Sequence, residues 1–327
     1  MPERIQALKA WLAGPAGLAG FSLEPASGDA SFRRYFRVGL DGKTLIAMDA
    51  PPGKEDCRPF ISVARRFRQA GLNVPAIHRE DLEQGFLLLD DLGSTLYLDV
   101  LNESNADRLY GDALDALVLI QSRVPPQGLP PYDRALLLRE MELFREWLLQ
   151  RHLGLELSAA EHAMLDRTFD LLADSALEQP GVCVHRDYHS RNLMLTEPNP
   201  GILDFQDAVA GPVTYDLVSL LRDCYIRWPR DRVEGWTLGY FEKAVEAGVL
   251  CEEHGKKFPR WFDLMGAQRH LKAAGIFARL NRRDGKPGYL QDIPRTLGYV
   301  VEIAARYPKL QDLARLISER ALPNLQR

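Results

Sequence analysis

The chain changes its hydrophobic period at Gly93. Up to that glycine, short apolar runs alternate with turns. Beyond it, apolar residues recur at helical spacing through 94–123, 134–152, 159–178, 213–226, 230–248 and 258–283, the pattern of amphipathic helices. One island of strand, 182–205, interrupts them. So sharp a switch predicts an α+β chain in two lobes: a small antiparallel sheet lobe over 1–88, a short hinge at 89–93, and a large helical lobe over 94–327. The 327 residues, 46% hydrophobic and 26% charged, suffice for a large core without staples. They exclude a disordered chain, collagen and a coiled-coil rod.

Within the first lobe, residues 1–20 read as a short helix ending at Gly14-Pro15, and 21–38 as strand, turn and strand. Asp41-Gly42 then makes a hairpin turn into 44–51, because this dipeptide accepts the positive φ angles of a tight turn. Residues 59–71 fit a helix opened by Pro59 and stopped by Gly71, and 86–90 a short strand.

The net charge of −4 gives no reason to expect nucleic acid or an anionic membrane as a partner. Cys57, Cys183, Cys224 and Cys251 have no metal or redox spacing and read as thiols in a reducing compartment. The amphipathic start, with Glu3, is a poor secretory signal. No run approaches the roughly 18 apolar residues of a membrane span. A cytoplasmic monomer is the expectation.

The densest chemistry lies in VCVHRDYHSRNLMLTEPNPGILDFQDA (182–208). A short strand ends at Val184 and releases the polar loop His185-Arg186-Asp187. Leu193–Leu195 and Ile202-Leu203 read as strands about the turn Glu197–Gly201. A hairpin centred on Pro198 sets Asn192 opposite Asp204, two hard oxygen donors side by side. That pair suits Mg²⁺, which takes few protein ligands and completes its shell with phosphate and water. Asp187, five residues before Asn192, is placed to accept a proton from a hydroxyl while phosphate is held, the division of labour of phosphoryl transfer. Each residue alone is commonly a turn former or cap; the combined spacing is what carries the reading.

The segment resembles the catalytic loop and metal aspartate of the kinase-like superfamily, with Asp204-Phe205-Gln206 where protein kinases have Asp-Phe-Gly. His189, two residues after the aspartate, marks a resemblance to the aminoglycoside phosphotransferase-like branch, as do FLLLDDLG (86–93) and YDLVSLLRD (215–223). SGDASFRRYFRV (27–38), LIAMDAPP (45–52) and 268–290 resemble the bacterial cell-wall amino-sugar kinases. These phosphorylate the anomeric hydroxyl of N-acetylmuramate and N-acetylglucosamine in peptidoglycan recycling. The resemblance implies a bilobal protein-kinase-like fold, ATP and Mg²⁺ as cofactors, and a small-molecule sugar acceptor. It makes Asp187 the base and Asn192 and Asp204 the metal ligands. Gly28, Ala30, Ser31, Arg33 and Arg34 cover the phosphates, and the backbone of Leu89, Asp90 and Asp91 reads the adenine. His189 orients the loop or touches the acceptor, Arg269 serves acceptor or loop, and His185 and Asp216 support the loop.

The pattern departs from the family in one respect. The third strand of such kinases carries a phosphate-binding lysine, and Met48 stands near that place; Ile61, Ser62, Val63 and Ala64 occupy the region of its glutamate partner. Either nucleotide binds without turnover, or Arg33 or Arg34 supplies the cation, since alternation points one of them towards the phosphates. The basic stretch 269–286 disfavours a polycationic aminoglycoside and suits an anionic sugar or, equally, a solvated helix face. Tyr225, Trp228, Trp236, Trp261 and Phe262 could provide a sugar platform or simply be core. Kinases of choline, homoserine or aminoglycosides stay open as alternatives, as does a pseudokinase.

Overall fold

The computed structural model describes residues 2–28 and 32–325, with Pro2, Ser27 and Gly28 described as backbone only. The chain forms two compact units: Met1–Val100 with Asn192–Asp207, and Leu101–Arg191 with Ala208–Arg327.

In the first unit, α1 (Pro2–Ala13) leads to β1 (Ser22–Gly28), β2 (Arg34–Leu40) and β3 (Lys43–Asp49). Helix α2 (Cys57–Gln69), β4 (Ile77–Asp81), β5 (Phe86–Asp90) and the single turn α3 (Tyr97–Val100) follow. The strands form one antiparallel sheet in the order β1-β2-β3-β5-β4. Asp41 and Gly42, both at positive φ, close the β2–β3 hairpin as the dipeptide predicts. Alternation then sends Phe36 and Val38 of β2 and Ala47 of β3 inward, against Leu8, Trp11 and Leu12 of α1 and Phe86 and Leu88 of β5. Gly85 seals the turn before β5: it has φ +72, and a Cβ there would stand 1.9 Å from the Ala50 carbonyl oxygen.

Helix α2 begins two residues before Pro59, because the Asp56 side chain caps it by accepting from the Arg58 amide at 3.0 Å. Its buried face sets the rings of Phe60 and Phe67 4.8 and 5.7 Å from that of Phe205. Each such phenylalanine contributes ~1.5–3 kcal/mol by burial. The residue after Asp204 is thereby pinned. Strand β4 was not foreseen: IHRED is mostly polar and shows too little alternation to read as a strand.

The second unit is helical: α4 (Ala106–Arg123), α5 (Arg134–Leu143) continued by a π-helical stretch Phe144–His152, α6 (Ala159–Leu177), α7 (Tyr215–Leu221), α8 (Arg230–Glu246), α9 (Phe258–Asp284) and α10 (Ile293–Ala304). Its strand pair joins Gly181–Val184 to Val209–Pro212. Helix α9 is the central post, buried along most of its length and packed by α5, α6, α7 and α10. Close approach requires Gly275, where a Cβ would stand 2.3 Å from the Leu143 carbonyl carbon. Among the described residues no helix is long and apolar enough to cross a membrane.

Candidate active site

Strand Gly181–Val184 delivers the chain to Asp187 through a left-handed residue. Arg186 has φ +79, a conformation that costs a non-glycine residue about 1–3 kcal/mol. Two devices hold it there. Asp216, fully buried in the first turn of α7, accepts from the amides of His185 at 2.6 Å and Arg186 at 3.0 Å. The Arg186 guanidinium pairs with buried Glu140 of α5, which also meets Lys272 of α9 at 3.2 Å and the Tyr132 hydroxyl. Lys272 donates to the Tyr215 hydroxyl at 2.8 Å. Of the two residues expected to support the loop, Asp216 binds its amides as above, and buried His185 accepts the Asp187 amide on Nδ1 at 3.3 Å.

The electrostatics follow from this cluster. Burial acts to raise the Asp187 carboxyl, but the charges of Lys272, Arg186 and Arg269 outweigh it and hold it below the usual carboxylate range. Lys272 stays protonated: burial lowers it, and Glu140 more than restores it. Burial lowers His189 as well, which keeps its ring neutral near pH 7. Beyond Asp187, Ser190 is tied through its amide (2.9 Å) and hydroxyl (2.6 Å) to buried Asp223, which also accepts the Tyr225 amide at 2.9 Å.

In the first unit, Leu193 pairs with Ile202 and Met194 with Gly201. The hairpin is therefore shifted by one residue from a centre at Pro198, and Asn192 opposes Leu203, whose amide donates to its carbonyl at 2.9 Å. Asp204 still reaches Asn192, because its own φ of +62 turns it out of the strand. The Asn192 amide donates to its carboxylate at 3.3 Å, and the Gln206 amide does so at 2.7 Å. The hairpin is anchored by Leu195 to Thr95 (2.9 Å), Ile202 to Asn73 (2.8 Å) and Asn199 to the Tyr97 hydroxyl (2.8 Å). An amide and a half-exposed carboxylate side by side are a fit donor set for Mg²⁺ whose other ligands are phosphate and water.

The two candidate cations separate. An Arg33 guanidinium nitrogen lies 4.0 Å from Asp204. Arg34 turns the other way and, with Arg4, pairs with the fully buried Asp49. Met48 is fully buried, so the absent lysine is replaced by core. Gly28 ends β1 opposite Arg34, and Ala30 and Ser31 lie outside the described residues. Leu89 is buried within β5, which is bonded to strands on both sides, and the Asp90 amide donates to Ala76. The Asp90 carboxylate takes the Ala76 amide and His78, and that of Asp91 takes Arg37 at 2.6 Å.

Arg269 and Lys272 are buried, so the basic stretch 269–286 is not one solvated face; Arg282 and Arg283 are exposed, Arg279 half-buried. Trp228, Trp261 and Phe262 are core, and Trp236 stacks 4.5 Å from Tyr110. Of the proposed platform, Tyr225 lies by the loop, its ring 5.4 Å from that of His189. Sequence reasoning missed Glu140, Tyr132, Tyr215 and Asp223, and weighed Lys272 only as part of the basic stretch 269–286. Asp223 closes the segment YDLVSLLRD and could have been weighed with Asp216; Glu140 carries no local signal.

A family model described as "Phosphotransferase enzyme family" matches residues 22–249. Two curated relatives are each named "N-acetylmuramate/N-acetylglucosamine kinase". The chain is 53% identical to that of Pseudomonas putida over 95% of this chain and 90% of the relative. It is 54% identical to that of Pseudomonas aeruginosa over 90% of this chain and 88% of the relative. Among solved structures, the choline kinase LicA of Streptococcus pneumoniae superposes with a TM-score of 0.64 at 13% identity, over 92% of this chain and 99% of that one; that likeness establishes the kinase-like fold.

Proposed function

The chain belongs to the phosphotransferase enzyme family, and on that premise we propose that it moves the γ-phosphoryl group of ATP to the anomeric hydroxyl of N-acetylmuramate or N-acetylglucosamine. The observation that carries this reading is identity above 50%, over nearly the whole chain, to two kinases named for those sugars. Asp187 accepts the hydroxyl proton. The sugar oxygen forms a bond to phosphorus as the bond to the bridging oxygen of ADP breaks, giving a sugar 1-phosphate and ADP. An ionised carboxylate is the required form of that base, and the cations around Asp187 favour it. Asn192 and Asp204 would hold Mg²⁺, which supplies charge neutralisation on the phosphates. Arg33 is the candidate for the further phosphate contact that Met48 cannot make; an arginine fork suits phosphate oxygens. Asp216 and Glu140 position the loop. The product fits recovery of cell-wall amino sugars in the cytoplasm.

Phosphorus NMR of the enzyme with MgATP and each sugar tests the reading. Wild type should give a sugar 1-phosphate doublet, and Asp187→Asn should give none while still binding nucleotide. Equal turnover by the two proteins would refute the base assignment, and intact ATP with both sugars would refute the acceptor.

A further inference from the structure

We propose that Arg191 is the specificity-determining residue for an acidic acceptor: clamped by Tyr225 and Tyr289, it reads the carboxylate of the lactyl ether that distinguishes N-acetylmuramate from N-acetylglucosamine. This rests on the sugar-kinase reading above.

Arg191 is exposed, and among the described residues it forms no ion pair. Its guanidinium carbon lies 4.5 Å from the ring centroid of Tyr225 and 5.5 Å from that of Tyr289. Two ring faces hold a cation in place by attraction to their π-electrons. The fork is therefore ordered before any ligand arrives, and less entropy is lost on binding. Neighbouring carboxylates do not occupy it. Asp223 is spent on Ser190 and the Tyr225 amide, and Asp292 pairs with Arg295 at 2.8 Å.

The clamp adjoins the base through Tyr225, whose ring meets His189 edge-on at 5.4 Å. Arg191 follows Asp187 by four residues, so their Cα atoms are at most about 14 Å apart, a span that a sugar ring and its substituents can bridge. Phe277 extends the aromatic wall, its ring 5.6 Å from Tyr289 and 6.0 Å from Tyr225. Beside it, His189 Nδ1 and Arg269 Nε are buried with no hydrogen-bond partner. Buried polar atoms in a native fold are ordinarily satisfied, and the hydroxyl and acetamido groups of a sugar are suitable partners.

The test is steady-state kinetics on both sugars for wild type, Arg191→Ala and Arg191→Lys. A charge-assisted hydrogen bond is worth about 1.5–3 kcal/mol, so Arg191→Ala should raise the KM for N-acetylmuramate about tenfold or more. The KM for N-acetylglucosamine and both kcat values should stay within about twofold, and Arg191→Lys should recover part of the loss. An unchanged melting temperature checks that the exposed substitution leaves the fold intact. Equal losses on both sugars, or none on either, in an enzyme that phosphorylates both would overturn this inference alone. A wild type that phosphorylates neither sugar would overturn the sugar-kinase reading and this inference with it.

Discussion

Replacing Glu140 by alanine should unfold the helical unit well before the rest of its interactions weaken. The carboxylate is 5% exposed and faces two cations, Arg186 and Lys272, of which Lys272 is 6% exposed. Removing it strands both charges in a low-dielectric interior, and breaking a buried pair in this way costs about 3–5 kcal/mol. For a unit of this size each kcal/mol shifts Tm by about 2–4 °C, so Glu140→Ala should melt about 6–20 °C below wild type. It should also lose turnover, because Arg186 then keeps its left-handed backbone through Asp216 alone. Calorimetric melting and phosphorus NMR measure the two losses. The physical cause is checked by a second comparison. Glu140→Met with Lys272→Met removes one stranded charge and should melt above Glu140→Met alone, since replacing a buried pair by apolar residues is far less harmful than breaking it. A Glu140→Ala protein within about 2 °C of wild type, or a double variant less stable than the single, would refute the reasoning.

Two further outcomes follow from single positions. Burial pushes the Asp216 carboxyl up to about 7, against the pull of the two amides it accepts. The folded state therefore binds this proton more tightly than the unfolded chain, so its effect on stability worsens as pH rises from about 4 towards 7 and then levels. Activity runs the other way: below about pH 7 one acceptor becomes a hydroxyl facing an amide, and kcat/KM should fall. Parallel pH profiles of melting and rate check this; the rate limb near 7 should vanish in Asp216→Asn and persist in His189→Gln. Gly275→Ala places a methyl 2.3–2.5 Å from backbone atoms of Leu143 and Phe144. Backbone cannot yield as a side chain does, so urea unfolding should show a loss of at least about 1–3 kcal/mol, and a variant as stable as wild type would refute so close a crossing of α9 and α5.

The sequence by itself determined what is local. Helical spacing located α4 to α9, Asp41-Gly42 closed its hairpin, and the run from His185 to Asp204 put the proposed base on one loop and the proposed metal ligands on one hairpin, because period and turn chemistry act between residues a few positions apart. One local inference was off by a residue: a symmetric hairpin sets Asn192 against Asp204, whereas the pairing is shifted and the φ of Asp204 restores the contact. Short polar β4 and the helix α10 escaped notice, the first for want of alternation. Only the tertiary structure decided which charges meet. Arg33 and Arg34 are adjacent in sequence, yet one lies by Asp204 and the other is bound to buried Asp49. Glu140 and Lys272 are 132 positions apart and meet beside Arg186 of the loop, while Arg191, Tyr225 and Tyr289 meet next to that loop. Such pairings depend on which helix faces pack together, and many side chains of the same kind compete for each role. No spacing rule encodes the choice, because it is the packing of the whole helical core around α9 that brings these groups within reach.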